Sequence, residues 1–132
     1  RRPEVSRTPV RTDISKTFFI EAAHRLPNVP PDHKCHRLHG HSFQITLHVT
    51  GDVDPKLGWI VDFADLKQAF EPIHALLDHR YLNEVPGLEN PTSELLARFV
   101  LERVQLPHGR LTAVSISETC SSKCTVYADA ER

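Results

Sequence analysis

HGHSFQITLHVT, residues 39–50, alternates apolar with polar side chains along its whole length. Successive side chains of a β-strand point to opposite faces, so the segment predicts a strand with one apolar face. That face carries His39, His41, Phe43, Ile45, Leu47 and Val49. The strand therefore begins its apolar face with two histidines in an H-x-H pattern.

A second strand is predicted upstream, beginning at Thr17. The sequence TFFIEAAH places four side chains on one face: Phe18, Ile20, Ala22 and His24. Residues 25–38, RLPNVPPDHKCHRL, separate the two strands and carry three prolines, which is a long connection of the kind that often has a function. Both predicted strands have histidine at the end of the apolar face, and pairing between them can bring His24 to the H-x-H pair.

Two amphipathic helices are predicted further along. Asp62 can cap the first, and Pro72 inside its pattern is expected to kink or interrupt it. Its apolar positions recur at spacings of three and four: Phe63, Leu66, Phe70, Ile73 and Leu77. Asn90-Pro91 predicts the start of the second helix, which ends before Pro107. Its apolar stripe comprises Leu95, Leu96, Phe99, Val100 and Val104.

Two further strands are predicted, over residues 111–118 and 124–129. The order ββααββ fits an α+β fold, with two helices on one face of a four-stranded antiparallel sheet. Such a sheet has two exposed edges, so joining of sheets between subunits is expected. Residues 1–15 are polar with two prolines and are expected to form a flexible N-terminal arm, which leaves residues 16–132 as a single domain.

Charge and composition exclude several classes of protein. Sixteen Lys and Arg against seventeen Asp and Glu give a net charge of −1, without the basic excess of a nucleic-acid-binding protein. No apolar run approaches the roughly 20 residues of a membrane-spanning helix, and the N-terminus lacks the apolar stretch of a signal peptide. Three cysteines cannot pair completely within one chain. We therefore expect a cytoplasmic protein with neither a nucleic-acid nor a membrane partner.

Histidine is unusually frequent, with nine in 132 residues. His39 and His41 point the same way on one strand, and His24 can join them. Three neutral imidazoles with a fourth position open are the ligand set of catalytic zinc, which lowers the pKa of a coordinated hydroxyl. The three residues therefore predict a zinc site. Four more histidines are expected to be ordinary surface or core residues: His33, His48, His74 and His108.

The cysteines differ in what they suggest. Cys35 lies four residues before His39, where a nearby cation can favour its thiolate as a base or nucleophile. It can equally be a fourth zinc ligand or a small buried hydrophobic residue. Cys120 and Cys124 have a C-x3-C spacing that is a poor zinc signature, and we expect both to be structural.

Carboxylates at two places complete the candidate site. Asp78-His79 suits a proton relay, although such a pair is about as often a helix terminus. Glu118 follows Val114 and Ile116 on the inward face, where an ionised carboxylate needs a partner. Its two oxygens can accept paired N–H bonds from a guanidine-like edge such as that of a pterin.

Six motifs follow one another between Phe18 and Cys124: FIEAAHRLP, HKCHRLHGHSF, GWIVDFADLK, LDHRYLN, GLENPTSE and SETC. Together they resemble the 6-pyruvoyl-tetrahydropterin synthase family, most closely its bacterial branch that forms 6-carboxy-5,6,7,8-tetrahydropterin for queuosine biosynthesis. By that resemblance His24, His39 and His41 match the zinc ligands, Cys35 the catalytic cysteine, Asp78 and His79 the relay, and Glu118 the pterin anchor. His36 departs from the pattern, which has a small residue there.

The resemblance also implies a fold, an assembly and a reaction. The tunnelling fold (T-fold) of the family joins sheets across subunits into barrels, commonly trimers stacked as hexamers. The implied substrate is 7,8-dihydroneopterin triphosphate: zinc would hold and acidify its side-chain hydroxyls while Cys35 and His79 move protons and triphosphate is eliminated. The C-x3-H-x-H spacing favours the carboxy branch, a lyase that also releases acetaldehyde, over the pyruvoyl branch.

Two other functions are compatible with the same residues. In one, a structural zinc module uses a cysteine together with the histidines to hold a binding surface. In the other, Cys35, His79 and Asp78 form a cysteine hydrolase triad with incidental metal. The hydrolase gives no role to three convergent histidines, so the zinc-dependent lyase is the preferred hypothesis.

Overall fold

Two long antiparallel strands form the centre of the sheet in this computed structural model, which describes residues 10–129. β1 comprises Thr12–His24 and β2 comprises His39–Gly51, with Thr12 opposite Gly51 and His24 opposite His39. The predicted inward face of β2 is confirmed, since four of its side chains are fully buried: Phe43, Ile45, Leu47 and Val49.

Three further strands complete the sheet, in the order β3-β1-β2-β4-β5. β4 (Arg110–Thr119) pairs antiparallel with β2, and β5 (Ser122–Tyr127) pairs antiparallel with β4. β3 (Arg80–Tyr81) is parallel to β1 beside Ala22 and Ala23. The α+β architecture is confirmed, but the sheet has a fifth strand that was not predicted, because two residues are too few to show a period of two.

Two helices cover the inward face of the sheet. α1 comprises Phe63–Leu77, and Asp62 caps it as predicted by accepting a hydrogen bond from the Ala64 N–H at 2.9 Å. Pro72 was expected to kink or interrupt this helix, and the interruption is wrong because α1 continues through the proline. Side chains on both sides of the proline, Phe70 and Ile73 among them, are buried in the core. The stabilisation from burying them in an unbroken helix outweighs the one hydrogen bond that proline removes.

The second helix, α2, comprises Ser93–Arg103 and begins later than expected. Its N-cap is Thr92, whose Oγ1 accepts from the Leu95 N–H at 3.1 Å, and not Asn90. A residue before proline is biased away from helical backbone, which explains why Asn90-Pro91 precedes the helix. Leu95 is 43% exposed, so the apolar stripe is narrower than its sequence pattern suggested.

The start of β1 differs from the predicted arm. Residues 12–15, which the sequence assigned to a flexible segment over residues 1–15, pair with residues 48–51 of β2. Their one large apolar side chain, Ile14, gives too short a run to predict a strand. Residues 1–9 of the predicted arm lie outside the described part of the chain.

The core extends from the sheet to the three histidines. Phe43 is fully buried, and its ring meets those of His24 and His41 edge-on, with centroids 5.3 and 5.4 Å apart. The apolar face of the sheet therefore ends in imidazoles packed on a core phenylalanine. Within residues 10–129, no helix has the length and apolar character to cross a membrane.

Candidate active site

Three histidines converge where β1 ends and β2 begins. His24 is directly opposite His39, and His41 lies two residues further along β2 on the same face. The ring centroids are separated by 4.6 to 5.2 Å, and the possible ligand atoms all lie within 4.8 Å of one another. The predicted convergence of His24, His39 and His41 is confirmed.

The hydrogen bonds of two of these rings leave Nε2 free to bind a metal ion. His24 Nδ1 lies 2.9 Å from the Pro91 carbonyl oxygen, and His39 Nδ1 lies 2.7 Å from the Arg37 carbonyl oxygen. A carbonyl only accepts, so each Nδ1 carries the proton and each Nε2 carries the lone pair. Metal-binding histidines are oriented by this type of bond.

His24 gives the clearest sign of a metal-binding site. Its side chain is buried, and Nε2 has no hydrogen-bond partner. Burial also lowers the pKa of His24, which keeps the ring neutral as metal binding requires. A buried, unsatisfied imidazole nitrogen is costly unless something occupies the space in front of it. Zn²⁺, which binds imidazole nitrogen in tetrahedral sites, fits this donor set.

Glu118 lies beside the histidines near the end of β4. Its Oε2 is 3.6 Å from His41 Nε2, and its Oε1 accepts a hydrogen bond from Ser93 Oγ at 2.8 Å. Ser93 is the first residue of α2, and both side chains line a cavity of about 270 Å³. The sequence placed Glu118 on the inward face but gave no sign of Ser93, because this contact depends on how α2 packs against β4.

Asp78 and His79, the two residues that follow α1, are joined by a side-chain hydrogen bond. Asp78 Oδ1 accepts from the Glu21 N–H at 2.9 Å, and Oδ2 accepts from His79 Nδ1 at 2.8 Å. The Glu21 N–H and then the His79 ring hold the pKa of the Asp78 carboxyl below its ordinary value. The pair is thus attached to β1 three residues before His24, with the carboxylate ionised and the imidazole oriented.

The backbone of His79 is strained. Its φ of +57° lies in the left-handed region, which non-glycine residues seldom adopt, and its N–H donates to the Glu21 carbonyl at 2.6 Å. Such conformations are frequent at functional sites, where neighbouring structure holds them in place. The His79 ring is 77% exposed, so it remains accessible to a substrate.

A cavity of about 550 Å³ is lined by His79 and Arg80 and by residues 21–23 and 40–42 of the two central strands. Glu21 and Ser42 lie on its wall, where Ser42 Oγ donates to the Glu21 carboxylate at 2.7 Å. Glu21 and Ser42 alternate with the three histidines along the strands, so this cavity lies against the outer face of the sheet.

Cys35 lies apart from this cavity, in a short 3-10 helix, Lys34–His36. Its N–H donates to His33 Nδ1 at 3.0 Å, its carbonyl accepts from the Leu26 N–H at 2.8 Å, and its side chain is half-buried. Cys35 is not part of the three-histidine group. All three cysteines, Cys120 and Cys124 included, are free thiols.

Comparison with known proteins places these features in a family. Residues 13–129 match the family model described as 6-pyruvoyl tetrahydropterin synthase. A 6-carboxy-5,6,7,8-tetrahydropterin synthase of Synechocystis sp. is 40% identical over 123 residues, covering 87% of this chain and 92% of the relative. The human 6-pyruvoyl tetrahydrobiopterin synthase is 31% identical over 83% of this chain and 86% of its own.

The fold agrees with the sequence match. A solved structure of 6-pyruvoyl tetrahydropterin synthase from Caenorhabditis elegans superposes with a TM-score of 0.80 at 25% identity, covering 92% of this chain and 98% of the other. The match spans both central strands, both helices and every residue of the candidate site. The chain belongs to the 6-pyruvoyl tetrahydropterin synthase family, a family of tetrahydropterin-forming enzymes.

Proposed function

We propose that the protein is a zinc-dependent lyase that converts 7,8-dihydroneopterin triphosphate and one water molecule into 6-carboxy-5,6,7,8-tetrahydropterin, acetaldehyde and triphosphate. The observation that carries the proposal is the buried, unpartnered Nε2 of His24, in a group of three histidines whose possible ligand atoms all lie within 4.8 Å of one another. The carboxy product is preferred because the Synechocystis relative bears that name at 40% identity. The reaction belongs to queuosine precursor synthesis in the cytoplasm.

Each side chain has a role that follows from its surroundings. His24, His39 and His41 would hold the zinc ion, which would supply a positive charge that makes the side-chain hydroxyls of the substrate more acidic. Glu118, fixed by Ser93, accepts N–H bonds from the pterin edge. Glu118 would thus hold the pterin ring close to His41.

Proton transfer falls to His79 and Cys35. The Asp78 carboxylate orients the His79 ring through Nδ1, so Nε2 is the atom that exchanges protons with the substrate. Cys35 is the second acid-base group, and it lies in the segment that connects β1 with β2. Proton removal by one group and return by the other accompany loss of triphosphate.

We also propose that the subunits join edge to edge in a barrel, as a hexamer of two stacked trimers. β3 covers β1 only at Ala22 and Ala23, so within the described residues the edge of β1 from Thr12 to Glu21 carries no partner strand. A long open edge is a liability that assembly removes. Sedimentation of the purified chain tests this proposal: a monomer at micromolar concentration would contradict it.

A second activity is supported by another relative. The human 6-pyruvoyl tetrahydrobiopterin synthase covers 83% of this chain at 31% identity. Elimination of triphosphate alone, giving a 6-pyruvoyl product, uses the same metal, pterin and relay residues. The two reactions are distinguished by acetaldehyde, which only the carboxy reaction releases.

The Cys35→Ala variant separates the lyase from a structural zinc module. In the lyase, zinc content stays at the wild-type value, while turnover falls about 100-fold or more because an acid-base group is lost. In a structural module with cysteine as a ligand, metal and fold are lost together. Cys120→Ala, which removes an exposed thiol in the β4–β5 turn, is the matched control and should leave both quantities unchanged.

A further inference from the structure

Arg25, the residue after His24, is fixed at both backbone and side chain. Its N–H donates to Asn83 Oδ1 at 2.9 Å, and its carbonyl accepts from Asn83 Nδ2 at 2.8 Å. Its guanidinium donates through Nε to the His36 carbonyl and through Nη2 to His36 Nε2, both at 3.0 Å. Arginine has no acceptor atom, so the His36 ring must accept. Four hydrogen bonds thus hold a cation next to a histidine of the metal group.

The positive charge of Arg25 has no acidic partner. Its two side-chain acceptors, a carbonyl oxygen and an imidazole nitrogen, are neutral, and no ion pair among residues 10–129 includes Arg25. The guanidinium carries five N–H donors, of which three remain after the two bonds to His36. A half-buried cation without a counter-charge is costly, so this arrangement favours an anion as its partner.

The surrounding segment has the same electrostatic character. Lys34 and Arg37 lie on either side of His36, and Asp32 is the one acidic residue between residues 25 and 39. The Arg37 carbonyl also accepts from the ring of His39. The residues that hold Arg25 are therefore continuous with those that orient the metal group, and together they carry excess positive charge.

We propose that Arg25, positioned by His36, binds the triphosphate of the substrate; the inference rests on the proposed function above. Guanidinium groups bind phosphate oxygens through paired N–H bonds, which suits the three donors that remain. Glu118 is close to His41, whereas Arg25 adjoins His24 along the chain. This order of residues, with the histidines between Glu118 and Arg25, matches the substrate, in which the hydroxyl-bearing carbons lie between the pterin and the triphosphate. Arg25 is thus the residue that binds the triphosphate, and His36 is a positioning residue that fixes the orientation of the Arg25 guanidinium.

Binding of inorganic triphosphate to the full-length, zinc-loaded chain tests this site without requiring turnover. Isothermal titration calorimetry gives the affinity, and zinc content is measured before and after each titration. We expect Arg25→Gln to weaken binding about 10-fold or more, because a charge-assisted bidentate contact is lost. Arg25→Lys should recover part of that loss, since it keeps the charge without the fork. Arg98→Gln, which removes an exposed arginine on α2, is the charge-matched control and should bind like wild type.

The His36→Ala variant gives an independent result if Arg25→Gln does not fold. It keeps the Arg25 charge and the bond to the residue-36 carbonyl but removes the ring contact, so triphosphate affinity should fall roughly 3-fold to 10-fold. Its kcat at saturating substrate should change less than its KM. A folded, zinc-containing Arg25→Gln protein, or His36→Ala protein, with wild-type triphosphate affinity would overturn the proposal. If triphosphate binding depends on Arg25 but the pterin substrate is not converted, the anion site stands and the proposed reaction fails.

Discussion

His24 and His39 are directly opposite one another across β1 and β2, with ring centroids 4.6 Å apart. One is the last residue of its strand and the other the first of the next, so backbone pairing itself brings the imidazoles together. A slip of one residue would turn His24 to the other face of the sheet. The apolar face that ends in Phe43 fixes the register, and the register in turn fixes the candidate metal site.

Removal of one imidazole should abolish metal binding. His39→Ala takes away a partly exposed ring, so it leaves no sealed cavity, and zinc affinity should fall about 100-fold or more with little loss of fold. Elemental analysis after dialysis measures the bound zinc. His108→Ala, on an exposed turn, is the control. A His39→Ala protein that retains one equivalent of zinc would exclude the three-histidine site.

Loss of the relay should lower turnover without loss of metal. His79→Gln removes the imidazole whose Nε2 exchanges protons and whose Nδ1 is held by Asp78, and kcat should fall about 100-fold to 1,000-fold. Asp78→Asn should have a smaller effect, because the ring remains but loses its carboxylate. Steady-state kinetics together with zinc analysis measure both quantities. Wild-type kcat in His79→Gln would assign proton transfer to another group.

The strained backbone of His79 predicts an unusual order of stabilities. At a φ of +57°, glycine is tolerated better than any residue with a Cβ, by about 1 kcal/mol. His79→Gly should therefore be more stable than His79→Ala, the reverse of the order expected at an ordinary position. Urea unfolding measures the free energy of unfolding of the two variants, and a more stable alanine variant would show that the strain is absent.

Glu118 should affect substrate binding more than metal binding. Glu118→Gln keeps the shape and the Ser93 contact but removes the charge, so KM should rise about 10-fold or more while zinc content stays constant. Ser93→Ala should raise KM by a smaller factor. Equal loss of zinc and activity in Glu118→Gln would instead make the carboxylate part of the metal site.

His48 should make the protein less stable as the pH falls. Burial, and to a lesser extent Lys123, lower the pKa of His48, whose Nε2 is 2.8 Å from Ser115 Oγ. Because the folded pKa lies below the unfolded value of about 6.5, the contribution of His48 to stability is full above that pH and declines as the pH drops towards the folded pKa.

Thermal unfolding at pH 7.5 and pH 5.5 measures this contribution. His48→Gln, which has no such titration, should lose less Tm between the two pH values than wild type. His108→Gln, at an exposed histidine, is the control and should behave like wild type. Equal losses of Tm in His48→Gln and wild type would show that His48 does not contribute to the pH dependence of stability.

Alternation along the sequence was sufficient to predict β2, the part of β1 from Thr17 onward and the convergence of the histidines. A period of two, read from His39 through Val49, assigns every side chain to a face, and apolar spacing with the Asp62 cap locates α1 in the same way. These features depend on residues close together in the chain. Local patterns therefore predicted the part of the site that lies on β1 and β2.

The rest of the site depends on contacts between distant residues. The Pro91 carbonyl orients His24 across 67 positions, and Ser93 reaches Glu118 across 25. A backbone carbonyl has no sequence signal, and the left-handed φ of His79 gave none in a non-glycine residue. Strand β3, with two residues, follows from the packing of α1 beside β1 rather than from any pattern of its own.

Mass spectrometry of the products is the most direct test of the central claim. The zinc-loaded protein and a chelator-treated sample are incubated with 7,8-dihydroneopterin triphosphate. We expect 6-carboxy-5,6,7,8-tetrahydropterin with acetaldehyde from the first sample, neither product from the second, and recovery of both when zinc is restored. A 6-pyruvoyl product would transfer the protein to the elimination-only reaction. Unchanged substrate in the presence of bound zinc would contradict the lyase and favour a structural role for the metal.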